Sequence, residues 1–332
     1  MPTLSQTGES AAKEYLIIRM ISLIVPCFNE ADGLDAFFGS LRTVVEGIKD
    51  FEFEVICIDD GSRDDTLNCL LSHAQRWPCI TVVELSRNFG KECALSAGLD
   101  LADGAAVIPL DADLQHPPEL IPEMIRLWQE GADVVLARRR SREGDGWPQR
   151  WLTERFYRFH NALSECEIPP DVGDFRLMDR RVADSLKAMP ERKRFMKGMF
   201  AWVGYRQVTV DFDVRPRHAG RSRFSAKRLF GLALDGIASF STVPLSMWVY
   251  FGSLFAFFSF IYGAWIVIKT LWLGADVPGY ASILTAVLFL GGVQLIGIGV
   301  LGEYIGRIYN ETKQRPVYLV RSIFRHARHD EK

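Results

Sequence analysis

The chain has 332 residues, 48 % hydrophobic and 24 % charged, with 39 Lys+Arg against 41 Asp+Glu, a length that suits one large domain or two ordinary ones. A formal net charge of -2 at globular charge density excludes a disordered chain and the global basicity of a nucleic-acid binder, so no nucleic-acid partner is expected. The average hides a partition: no Asp, Glu, Lys or Arg occurs from Gly236 to Ile268 or from Pro278 to Gly302, which predicts a water-soluble domain attached to a membrane hairpin.

Residues 1–20 contain Glu9, Glu14 and Arg19 and no apolar core of signal-peptide length, and read as an N-terminal extension without a cleaved export signal. From residue 21 short runs rich in Val and Ile follow, at Ile21–Val25, Val55–Ile58, Ile80–Leu85, Ala105–Leu110 and Val134–Ala137. Between them lie the helix-length stretches Gly33–Gly47, Asp65–Arg76, Glu92–Ala102 and Pro118–Glu130. This alternation predicts βαβ units, and so an α/β domain over 21–215 whose mostly parallel, Rossmann-like sheet is covered on both faces. Ligands of such sheets bind beyond the carboxyl ends of the strands. The polar strings stand there: Pro26-Cys27-Phe28-Asn29-Glu30, Asp59-Asp60-Gly61-Ser62 and Asp111-Ala112-Asp113-Leu114-Gln115.

An Asp after a buried strand is in the plain case a cap for the next helix, which is one reading of Asp64 or Asp65. Asp111 and Asp113, with Gln115 two residues further, instead put three oxygen ligands on one side of an extended segment. Mg2+ and Mn2+ are held by one or two carboxylates together with substrate phosphates, so a metal–diphosphate site is expected. The cysteines, Cys27, Cys57, Cys69, Cys79, Cys93 and Cys166, form no zinc spacing and are expected to be reduced packing residues.

Val243 to Ile268 and Tyr280 to Leu301 each reach the roughly 20 apolar residues that a spanning helix needs. They lie within a two-helix segment over 242–306, joined by a turn-rich link from Lys269 to Gly279 that makes the pair antiparallel. Arg215, Arg217, Arg221, Arg223, Lys227 and Arg228 precede the first span, and Arg307, Lys313, Arg315 and Arg321 follow the second. By the positive-inside rule both termini and the α/β domain face the cytoplasm, with 307–332 as a cytoplasmic tail. Residues 216–241 carry Phe224, Leu229, Phe230 and Ile237 against Arg223, Lys227 and Arg228, as a juxtamembrane amphipathic helix would. Trp151, Phe156, Tyr157 and Phe159 among Arg150, Arg155 and Arg158 form either a second interfacial helix or an ordinary helix on the sheet.

The series PCFNE at 26–30, DDGSRDDT at 59–66, SRNFGK at 86–91, DADLQHPPELIP at 111–122, GDFRLMDR at 173–180 and RHAGRS at 217–222 resembles the family-2 polyprenyl-phosphate glycosyltransferases. Among these are the dolichyl-phosphate mannose synthases and, nearer, the bactoprenol glucosyltransferases that end in two spans. The resemblance runs over about residues 20–320 and implies a GT-A fold. It also implies a divalent metal and inverting transfer of one sugar from a nucleotide sugar to a lipid phosphate at the inner membrane of a bacterium.

Position by position, the resemblance makes Pro26, Phe28, Glu30, Ile58, Asp60, Lys91, Asp111, Ala112, Asp113 and Arg139 the nucleotide-sugar site. Asp111, Asp113 and Gln115 become the metal ligands. Asp174 resembles the family's base or sugar-orienting carboxylate, and Arg217, Arg221, Ser222 and Arg223 the acceptor-phosphate site, with Arg223 where Lys is common. A phosphate monoester is ionised at pH 7, its second pKa being about 6, so positioning is expected of Asp174 rather than proton removal. The runs RFMKGMFAWVGY at 194–205 and GEYIGRIYNETKQRP at 302–316 point by likeness to UDP-glucose as donor, with UDP-GlcNAc or an aminoarabinose donor behind it; the family implies undecaprenyl phosphate as acceptor and suggests a homotetramer.

GIGVLG at 297–302 satisfies the dinucleotide G-x-G-x-x-G pattern but lies inside the second span, where small residues serve helix packing. The main rival is a processive polysaccharide synthase. It lacks its Q-x-x-R-W spacing here and needs more than two spans, and a silent membrane scaffold would have no use for both metal carboxylates.

Overall fold

The computed structural model describes residues 20–140, 172–192, 194–213, 243–273 and 279–326. In chain order the elements are β1 (Met20–Cys27), α1 (Leu34–Gly47), β2 (Glu52–Asp59), α2 (Thr66–Arg76), β3 (Ile80–Leu85), α3 (Lys91–Leu101) and β4 (Ala106–Pro109). A 3-10 turn at Pro118–Leu120 leads into α4 (Ile121–Gln129), followed by β5 (Val134–Arg139), β6 (Val172–Asp179), α5 (Arg180–Ala188), α6 (Met196–Trp202) and β7 (Gln207–Phe212). The chain continues as α7 (Val243–Leu273), α8 (Tyr280–Thr312) and β8 (Val320–Phe324).

The strands form one sheet in the order β7-β5-β6-β4-β1-β2-β3-β8. β1 pairs parallel with β2 and β4, and β2 with β3, as the βαβ alternation requires. β6 runs antiparallel to both β4 and β5. Its first residues therefore lie at the same edge as the carboxyl ends of its neighbours, a placement invisible in a reading that took only the parallel strands.

Alternation along β1 sends Ile21, Leu23 and Val25 into one core with Leu34, Phe37 and Leu41 of α1, Leu70 of α2 and Met124 of α4. Ile24 enters a second core with Ile56 and Ile58, against Ala94, Leu95 and Ala97 of α3, Val182 of α5 and Met199 of α6. Burial on both faces is the cause of the continuous apolar runs. Helix ends follow local chemistry: α4 carries a proline in its first turn, where the missing N–H is no loss. The Asp179 side chain caps α5 by accepting from Arg181 N.

The two apolar helices outrun their expected ends at Ile268 and Leu301, reaching Leu273 and Thr312. Charge alone does not stop a helix: Glu303 and Arg307 pair at 2.9 Å one turn apart, which supports the extra turns. At 31 and 33 residues they exceed the roughly 30 Å of a hydrocarbon core, and their most apolar windows are not buried inside the protein. Gly297 faces the Trp248 ring, 3.4 Å from where its Cβ would be, the helix-packing use expected of that glycine-rich run.

Past α8 the chain returns to the sheet. β8 pairs antiparallel with β3, Leu319 O accepts from Ser86 N at 2.9 Å, and Glu84 takes Ser322 Oγ at 2.6 Å. Tyr318 donates to Asp100 at 2.7 Å, and Glu311 accepts from Arg192 N at 3.0 Å. The stretch expected as a tail thus contains a strand that clamps α8 to the sheet. Cys27, Cys57, Cys69, Cys79 and Cys93 are free thiols; Cys166, the stretch 150–159 and the segment 216–241 lie outside the described residues.

α3 lies hard on the sheet at Gly98, where a Cβ would stand 2.2 Å from Ile24 Cγ2 and 2.9 Å from Ile58 Cδ1. Gly98→Ala should therefore destabilise the α/β domain by about 1–3 kcal/mol through overpacking, read as a lower midpoint in thermal unfolding of the solubilised protein.

Candidate active site

A cavity of about 390 Å³ opens at the carboxyl edge of β1, β2 and β4, lined among others by Pro26, Phe28, Glu30, Asp60, Lys91, Asp111, Ala112 and Asp113. These are most of the residues assigned to the nucleotide sugar. Phe28 is an exposed aromatic at its lip, suited to stacking against a base. Ile58 is wholly buried beneath α3 and does not line the cavity. Arg139 stands at the end of β5, beyond the lining. Arg217, Arg221, Ser222 and Arg223 lie outside the described residues.

The loops that build the cavity are tied to one another. Asn29 N donates to Ser62 Oγ at 3.0 Å, Arg63 N to Asn29 Oδ1 at 2.8 Å, and Glu30 N to Thr66 Oγ1 at 2.9 Å. Of the two candidate caps, Asp64 receives Thr66 N and its hydroxyl, while Asp65 makes no capping bond.

Asp60 is buried, and burial pushes its carboxyl up against the amides that hold it down. It accepts from Phe89 N at 2.7 Å, Gly90 N at 2.9 Å and Asn88 Nδ2 at 3.0 Å, so it fixes the loop that delivers Lys91. Gly61, at φ +67°, lets the loops touch: a Cβ there would stand 2.6 Å from the backbone of Arg87 and Asn88. Asn88 was missed in the sequence. Its string was noted, but a side chain serving a loop carries no periodic signal.

The segment after β4 is not extended, contrary to expectation. It turns at Asp113, whose Oδ1 accepts from Gln115 N at 3.0 Å, and Leu114 adopts φ +58°, so the chain folds back and brings in His116. A ligand atom of His116 lies within 4.8 Å of those of Asp111 and Asp113, and Gln115 contributes its backbone amide to Asp113. His116 is 4 % exposed, between the rings of Phe175 and Phe212, with both ring nitrogens unpartnered. Its Nδ1 is 3.6 Å from Asp111 Oδ2, too far for a hydrogen bond. Burial holds the imidazole below its usual range, so at neutral pH it offers a lone pair. Two carboxylates and a neutral imidazole nitrogen fit a divalent ion, with the nitrogen leaning toward Mn2+ over Mg2+. The signal was the spacing D-x-D-x-x-H.

Asp174, near the start of β6, meets this group through Lys91. The Lys91 ammonium lies 2.6 Å from Asp111 Oδ1 and 2.7 Å from Asp174 Oδ2. Burial opposes ionisation of Asp174, but Lys91, with Lys197 and Arg176 nearby, overrides it and holds the carboxyl at about 2. Arg176 lies over the Phe200 ring at 3.9 Å and donates to Gly173 O at 2.7 Å; burial lowers it to about 10. Glu92, next to Lys91, accepts from Met196 N at 3.1 Å, and burial followed by the Asp174 charge pushes it up to about 7.

The pattern of glycosyl transferase family 2 matches residues 22–187, and that of the GtrB C-terminal hairpin matches 243–308. A bactoprenol glucosyl transferase of Shigella phage SfV is 51 % identical over 91 % of this chain and 98 % of its own. A prophage bactoprenol glucosyl transferase homolog of Escherichia coli (strain K12) is 49 % identical over 91 % and 99 %. Among solved structures, glucosyl-3-phosphoglycerate synthase from Mycobacterium tuberculosis with Mn2+, UDP and glucosyl-3-phosphoglycerate gives a TM-score of 0.49 at 20 % identity, covering 72 % of this chain and 83 % of that one.

The raised Glu92 sets a sign for pH. Its folded form favours the proton, so its contribution to stability is complete below the ordinary glutamate pKa of about 4.3 and is lost as pH rises through about 7. Glu92→Gln should flatten the decline in unfolding midpoint over that window, measured by thermal scans at a series of pH values.

Proposed function

From the premise that this chain belongs to glycosyl transferase family 2 and has its GT-A-like fold, we propose that it transfers one glucose from UDP-glucose to undecaprenyl phosphate, with inversion. The observation that carries this reading is the site itself: Asp111 and Asp113 in the wall of a nucleotide-sized cavity, the buried His116 within reach of both, and Lys91 joining Asp111 to Asp174. The relatives called bactoprenol glucosyl transferases, matched along nearly their whole length, support the sugar and the lipid carrier.

Asp111, Asp113 and His116 would hold Mg2+ or Mn2+, whose contribution is to offset the charge that grows on the leaving nucleoside diphosphate. Pro26, Phe28, Glu30, Asp60 and Ala112 enclose the nucleotide, and Arg139 extends the positive field beyond it. The acceptor phosphate brings its own ionised oxygen. An acceptor already ionised needs no proton removed, so Asp174 orients the sugar or the acceptor. Arg217, Arg221, Ser222 and Arg223 receive the lipid phosphate.

The spans and the clamp support a site at the membrane surface. α8 ends at Thr312 and β8 already pairs with β3 from Val320, so the chain returns to the sheet soon after the second apolar helix. With the flanking arginines, that supports a bacterial inner-membrane protein with catalytic domain and both termini cytoplasmic. We assign the units as 21–215, 216–241 and 242–306, with 307–332 completing α8 and returning β8 to the sheet, and the assembly as a homotetramer.

Membranes containing the protein, given radiolabelled UDP-glucose, undecaprenyl phosphate and Mg2+, should form a lipid bearing a single sugar; a polymer, or no product, would refute the proposal. Asp111→Ala with Asp113→Ala should lower turnover by at least about 10²-fold, the scale of losing an electrostatic stabiliser. Asp174→Asn should lower kcat by about 10²-fold, as misplacement of a reactant does, while UDP affinity stays near the wild-type value.

A further inference from the structure

We propose that Lys91 is an exchangeable counter-ion, its ammonium holding Asp111 to Asp174 in the metal-free site and giving up Asp111 to an arriving divalent ion. The released head then turns to the diphosphate of the donor. The second half rests on the donor class proposed above; the first does not.

Three observations carry the inference. One oxygen of Asp111 is taken, Oδ1 by Lys91 Nζ at 2.6 Å, while Oδ2 faces His116 Nδ1 at 3.6 Å without a hydrogen bond. A divalent ion held by Asp111, Asp113 and His116 would stand within a few ångströms of that ammonium, and like charges so close repel strongly. The lysine is the cation placed to give way. Its side chain is 43 % exposed and lines the cavity beside Phe28 and Ala112. It also begins α3, just after Gly90 at φ +100°, so its four-carbon stem can swing without shifting the helix.

Asp174 is not stranded by the exchange, because Lys197 and Arg176 bear on it from behind. A purely structural ion pair would be expected to sit away from the ligand-bearing carboxylate and out of the cavity. Here the ammonium occupies both. The residue thus makes metal entry and diphosphate capture one event: the cation that the metal evicts is the one the phosphate needs.

Two titrations of the full-length protein in detergent micelles test this. Free Mn2+ is followed by electron paramagnetic resonance without nucleotide, and UDP by calorimetry at saturating Mn2+. Lys91→Met should bind Mn2+ alone about threefold to tenfold more tightly, as loss of a nearby like charge implies, yet bind UDP about tenfold more weakly, as loss of a phosphate contact implies. Lys91→Gln, which keeps a hydrogen-bonding head without charge, should show the same crossed pattern if the methionine variant folds poorly. Asp174→Asn, which leaves the ammonium to Asp111 alone, should weaken Mn2+ binding. Unchanged or weaker Mn2+ affinity in both Lys91 variants overturns the proposal. Wild-type protein that binds Mn2+ but no UDP overturns the donor reading instead, since the metal titration reads the exchange by itself.

Discussion

Like charge crowded at one edge of a sheet is the constraint around which this molecule is arranged. Asp59, Asp60, Asp111, Asp113 and Asp174 converge where the strands end, and carboxylates in a partly buried cleft repel unless cations or amide dipoles intervene. The fold supplies both. Backbone amides of Phe89 and Gly90 absorb Asp60, and the Lys91 ammonium absorbs Asp111 and Asp174 together. What is left for a ligand is the side facing the cavity.

Delivery of that ammonium depends on packing far from any charge. Lys91 is the first residue of α3, and α3 reaches the sheet closely because Gly98 has no side chain to collide with Ile24 and Ile58. The loop before it is held by Asp60, and closes on the loop after β2 because Gly61 leaves room for backbone. Catalytic geometry here is a consequence of two glycines and one buried carboxylate, none of which touches the reacting atoms.

The membrane half is joined to the catalytic half by more than a tether. β8 extends the sheet on β3, Glu84 and Asp100 grip the chain just after the second apolar helix, and Arg192 N donates to Glu311 in that helix's last turn. Backbone pairing is directional and fixes orientation as well as distance. A sheet paired to the chain that follows the second apolar helix holds that chain in a fixed direction relative to the strands, which suits the membrane-surface site proposed above.

The sequence by itself determined the α/β class, the parallel strands, the acidic strand ends and the two apolar helices. Each rests on a periodic or contiguous signal: alternation, Val and Ile runs, charge-free stretches of spanning length. Even so, helix ends at Leu273 and Thr312 escaped it, because charged residues that end an apolar run do not end a helix. Tertiary structure alone decided that β6 runs backwards and brings Asp174 opposite Asp111, that Leu114 turns the chain so His116 joins the two carboxylates, that Lys91 stands between them, and that residues 320–324 return to β3. Apart from the local turn at Leu114, whose trace in the sequence is the spacing D-x-D-x-x-H, these are contacts between segments far apart in the chain. They depend on which strand lies beside which, and local composition carries no record of that.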